Sequence, residues 1–111
     1  MSAGTYNFTI EQGTTFSRVL TLQENGSAMN LTGYSVASQM RSTHDSSSIA
    51  ATITGTISNA SSGQITLSLT NTQTSAIEEA IYVYDVEITS GAGAVTRILQ
   101  GNVTVTPEVT R

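Results

Sequence analysis

The stretch YVYDVEITSGAGAVTRILQGNVTV, residues 82–105, constrains the fold more than any other part of this chain. Tyr82, Tyr84, Val86 and Ile88 recur at every second position, so on an extended backbone they share one face, while Asp85 and Glu87 share the other. The alternation breaks at Gly91-Ala92-Gly93 and resumes after it. Two alternating runs joined by a glycine turn read as a β-hairpin, with one face buried and the other wet.

The same period recurs upstream. Tyr6, Phe8 and Ile10 mark a first strand, and Phe16, Leu20 and Leu22 a second, with Arg18 as an exception on its apolar face. Tyr34, Val36 and Met40 mark a third, Ile49, Ala51, Ile53 and Ile57 a fourth, and Ile65, Leu67 and Leu69 a fifth, opened by Gly63. The closing hairpin supplies the sixth strand and a seventh running from about 94 to 106 and ending near Pro107, which has no N–H to give a ladder. In that last strand Val95, Leu99, Val103 and Val105 share a phase with Arg97 and Gly101, and a bulge near Gly101 would bring Ile98 to the core side. Asn25-Gly26 has the chemistry of a tight turn. Seven short strands separated by turn residues predict an all-β, immunoglobulin-like antiparallel sandwich. The one stretch without this period is TNTQTSAIEEA, residues 70–80. It predicts a short helical cap, with a threonine or Asn71 as N-cap.

A chain of 111 residues suffices for one domain with a modest core. The expected organisation is a single sandwich over 1–111, with flexible arms at 1–5 and 107–111. Only 11% of the residues are charged, lysine is absent, and Arg18, Arg41, Arg97 and Arg111 are scattered through a chain of net charge −4. No basic stripe exists for a nucleic-acid partner. Cysteine is absent, which excludes disulfides and thiolate chemistry. No apolar run reaches the roughly 18 residues of a membrane span, and the first residues lack the pattern of a secretory signal.

The candidate sites are few. His44-Asp45 is the one histidine–carboxylate pair, but it lies in the polar run STHDSSS, residues 42–48, where a mobile solvated loop is the expectation. Glu78 and Glu79 would point about 100° apart on a helix and share no ligand well. Asp85 and Glu87 share a strand face, yet calcium asks for six or more oxygens, so the wet side of a strand is the simpler reading. Gly91-Ala92-Gly93 lacks the lysine and helix of a phosphate loop. Five Asn-X-Ser/Thr triplets, at Asn7, Asn25, Asn30, Asn59 and Asn102, are expected by chance in so Ser/Thr-rich a chain. No catalytic, cofactor-binding or metal-binding residue is assigned, and the chain reads as a non-enzyme with no cofactor. An exposed aromatic cluster would favour glycan binding, and a histidine buried with a carboxylate in a cleft would favour a hydrolase.

The order of features adds a resemblance. IEQGTTFSRVLTL, then ENGSAMNLTGYSVASQMRS, then SGQITLSLTNTQTSAI, then the closing hairpin together resemble the small immunoglobulin-like domains of tailed-bacteriophage virion proteins. They are especially similar to the N-terminal domain of baseplate upper proteins and tail-fibre adaptors, over roughly Phe8 to Val105. The resemblance implies a virion structural protein that mediates subunit assembly in the tail, baseplate or neck. Its implied partners are other virion proteins and copies of itself in a homo-oligomer, with no nucleic acid and no membrane. A capsid decoration protein, or a glycan-binding module for host attachment, is the alternative.

Overall fold

The computed structural model describes residues 4–24 and 26–109. It has ten strands and one helix in the order β1 (Gly4–Thr5), β2 (Phe8–Glu11), β3 (Phe16–Thr21), β4 (Gln23–Glu24), β5 (Ser27–Ala28), β6 (Ser35–Arg41), β7 (Ala51–Asn59), β8 (Gln64–Leu69), α1 (Asn71–Ser75), β9 (Ala80–Thr89) and β10 (Val95–Thr106). The seven strands of four or more residues are those the alternation predicts. The chain is an all-β, immunoglobulin-like sandwich.

The strands follow one hydrogen-bonded path, β1-β10-β9-β6-β7-β8-β3, with β2 also on β10 and β4-β5 a separate small hairpin. The path folds over on itself at β7. Residues 51–53 of that strand pair with β6, whereas residues 54–59 pair with β8. One strand therefore belongs to both layers. Gly55 sits just past the switch, where an added Cβ would meet the Val36 side chain at 2.5 Å. The crossing depends on having no side chain there.

Inward residues of both layers form one core. Val86, Ile88, Ile65, Leu67, Met40 and Val103 are fully buried. Phe8 stacks on Phe16 with ring centroids 5.0 Å apart and meets the edge of Tyr84 at 4.8 Å, so aromatic contacts tie β2, β3 and β9 together. Polar groups inside the core are satisfied. The Ser38 hydroxyl donates to the Asp85 carbonyl at 2.7 Å and the Tyr84 hydroxyl to the Tyr6 carbonyl at 2.6 Å. Tyr82 donates likewise to the Glu78 carbonyl. Burial, and for Tyr82 the nearby Glu78 charge, push both phenols above their ordinary range.

Several expectations are corrected in detail. The fourth strand starts at Ala51, and Ile49 stands exposed before it. The register of β10 against β9 shifts between Arg97 and Leu99, so the bulge is at Ile98, which is buried, and not at Gly101. Gly101 pairs in register with Tyr84. Its glycine is required because the Tyr6 carbonyl and the Asn7 side chain lie against it. Val95 and Arg97, before the bulge, are exposed. The helix covers only residues 71–75. Thr70 caps it by accepting from the Gln73 N–H, and the Gln73 side chain accepts from the Thr70 N–H in return. Ala76 to Glu79 lie beyond the helix, and Ile77 there plugs into the core.

The pairing is not wholly antiparallel. Phe8, Thr9, Ile10 and Glu11 run parallel to Val103, Thr104, Val105 and Thr106, and Gly4 and Thr5 run parallel to Leu99 and Gln100. Residues 4–5, expected within an arm, are thus strand. Glu108, expected in the other arm, donates its N–H to Gln12 Oε1 at 3.1 Å, while Gln12 Nε2 donates to the Ile77 carbonyl at 2.8 Å. Residues 1–3 and 110–111 of the expected arms lie outside the described residues, as does Asn25 of the expected turn. Gly26, its neighbour, has φ +81° between β4 and β5. The closing turn is as expected: Gly93 adopts φ +92°, and Ser90 N–H donates to the Ala94 carbonyl at 2.9 Å.

Candidate functional site

The two layers present outer faces of opposite character. On the layer formed by β3, β8 and the second half of β7, register sets three rows of outward residues: Ser17-Ser68-Thr54, Val19-Thr66-Thr56 and Thr21-Gln64-Asn59. None of the nine is charged. Val19 is 58% exposed at the centre of the open edge strand. The core-side residues of the same strands are Phe16, Leu20, Ile65, Leu67 and Leu69, so strict alternation delivers the hydroxyls outward.

The outer face of β10-β9-β6 is charged. Row by row, Arg97 lies opposite Glu87, which lies opposite Ala37; Gln100 opposite Asp85, opposite Gln39; and Asn102 opposite Val83, opposite Arg41. A groove of about 280 Å³ runs over these rows, bordered by His44. Its floor is tied together. Arg97 Nε pairs with Asp85 Oδ2 at 3.2 Å, and an Arg97 terminal nitrogen donates to Gln100 Oε1 at 3.5 Å. Arg41 donates to Gln39 Oε1 and to the Ser46 carbonyl, both at 3.0 Å.

These contacts place the residues singled out in the sequence. Asp85 and Glu87 are on the wet side of β9 as expected, half-buried, with Asp85 in an ion pair. Arg97 reaches Asp85 because the bulge at Ile98 leaves it outward, whereas Leu99, Val103 and Val105, beyond the bulge, turn inward. The register of the hairpin could have suggested that pair, since it sets the two strands face to face. His44 and Asp45 are exposed, as the polar run implies. Their loop is held at its base by Arg41, and His44 borders the groove. Glu78 and Glu79 are exposed and share no site with the groove. Ser38, in phase with Val36 and Met40, was the inward polar residue that alternation alone left unremarked.

No histidine is buried with a carboxylate, and among the described residues no three metal-ligating side chains cluster. The tyrosines form no exposed platform, because Tyr82 and Tyr84 are buried and Tyr6 and Tyr34 half-buried.

No family model and no curated protein matches the chain. Among solved structures it is similar to the internalin-like protein lmo2027 of Listeria monocytogenes, at 17% identity and a TM-score of 0.48. That match covers 90% of this chain and 27% of the other, so this chain spans about a quarter of the length of the protein it matches.

Proposed function

We propose that the chain is a non-enzymatic structural module of a bacteriophage virion that joins subunits in the tail, baseplate or neck. Capsid decoration is the alternative position. Its localisation would be the virion, and its partners other virion proteins and copies of itself. The virion placement comes from the resemblance of the sequence. The observation that supports an assembly role is the uncharged outer face of β3, β8 and β7. Packing a face against a neighbour costs desolvation, most of all for charges, and this face asks for none to be stripped of water. Its β-branched threonines also lose little freedom on contact.

A face, and not an edge, is the contact this geometry favours. The open edge of the layer is β3, and Arg18 sits there on the core side of the strand, its guanidinium 5.4 Å from the centre of the Phe16 ring. An inward-phased charge on an edge strand obstructs addition of a further strand.

Val19→Arg tests the reading. Val19 is exposed, so the melting temperature should stay within a few degrees of the parent. Self-association by sedimentation, or incorporation into particles, should fall by about tenfold or more. If the variant assembles like the parent, the face is not the contact. If mass spectrometry finds no copy of the chain in purified virions, the virion placement fails.

A further inference from the structure

The groove on the opposite layer has hydrogen-bonding capacity that the fold does not use. Gln39 and Gln100 both line the groove, and their carbonyl oxygens accept from Arg41 at 3.0 Å and from Arg97 at 3.5 Å, which leaves each amide NH2 group to donate elsewhere. Neither NH2 group has a partner among the described residues. The Glu87 carboxylate has none there either, while Asp85 is held in its ion pair with Arg97. Spare donors on Gln39 and Gln100, in one row, therefore lie beside a spare acceptor, Glu87, in the next row. The four formal charges, Arg41 and Arg97 against Asp85 and Glu87, cancel.

We propose that this groove binds a single ring of a neutral saccharide through paired hydroxyls. The chemistry selects that class. A sugar hydroxyl donates and accepts at once, so it matches a carboxylate on one side and an amide on the other, and two adjacent hydroxyls span neighbouring planar side chains. An anion such as phosphate would meet Asp85 and Glu87, and a cation would meet Arg41 and Arg97. An apolar ligand would strand the polar floor. The volume of about 280 Å³ lies just under the range of small-molecule sites and fits one ring, not a buried chain.

No aromatic ring is offered to the sugar. Tyr84 reaches the groove wall, but its ring is in the core and its hydroxyl is committed to the Tyr6 carbonyl. Recognition rests on hydrogen bonds alone, so one site binds weakly, with a Kd on the order of millimolar, and useful affinity needs several copies side by side. The site is independent of the assembly reading, because it uses the other face of the molecule.

The test is an amide chemical-shift titration of the whole chain with neutral methyl glycosides of glucose, galactose, mannose and N-acetylglucosamine. Sialic acid, sodium phosphate and glycerol are the comparison ligands, each taken to about 50 mM, well above the expected Kd. At least one neutral glycoside should give saturable shifts at Gln39, Asp85, Glu87 and Gln100, including the side-chain amides. Gln39→Ala and Glu87→Ala, each with an unchanged melt, should weaken that binding about tenfold, whereas Val19→Arg should leave it unaltered. The proposal is overturned if no neutral glycoside shifts these residues, if glycerol does so equally well, or if only sialic acid or phosphate does.

Discussion

Tyr84 shows how one side chain can serve the core and the chain entry together. Its ring packs on Phe8, and its hydroxyl satisfies the Tyr6 carbonyl at the break between β1 and β2. Tyr84→Phe keeps the ring and leaves that carbonyl without its donor, so it should cost about 1–2 kcal/mol in urea unfolding at neutral pH. The same residue sets an alkaline limit. Its folded pKa lies above the unfolded value of 10.0 because burial disfavours the phenolate. The stability this contributes is therefore complete below pH 10 and is lost as pH rises beyond it. The parent should lose stability more steeply than Tyr84→Phe between about pH 10 and 11, measured by thermal melts. Parallel pH profiles for the two proteins would contradict the burial of that hydroxyl as the cause.

At the scale of elements, β9 is the strand around which the larger layer is built, with β10 on one side and β6 on the other. Val86 at its centre is fully buried, so Val86→Asp should abolish the cooperative melt, since an unpaired buried carboxylate costs several kcal/mol. A normal melt would mean that the inward face is assigned wrongly. That face was legible in the sequence because Tyr82, Tyr84, Val86 and Ile88 alternate without interruption. The bulge of β10 was legible only as a conflict of phase. Ile98 had to be inside and Arg97 outside, but the alternation could not say which residue carried the shift. The parallel docking of β2 on β10 left no local trace, because it depends on contacts between residues 95 positions apart. The groove was hidden for a similar reason. Gln39, Arg41, Asp85 and Arg97 come from three strands, and only their register brings them together.

For the molecule as a whole, electrostatics contributes little to holding the fold. Among the described residues one ion pair is present, Arg97–Asp85, with its side chains 52% and 35% exposed. Such a pair is worth at most about 1 kcal/mol. The melting temperature should therefore move by no more than about 4 °C when sodium chloride is raised from about 0.05 to 1 M, where the screening length has shrunk to about 3 Å. A drop of about 10 °C would show that charge networks, and not the apolar core, carry the stability. The parallel ladder between β2 and β10 has a mechanical meaning. Residue 4 enters beside Leu99, and residue 109 leaves beyond Thr106, past the opposite end of the paired segment. Tension applied through the two ends of the domain pulls β2 backward and β10 forward along their common axis. The rungs between them then bear the load together and must break in concert, whereas an antiparallel pair pulled at its open end gives way one rung at a time.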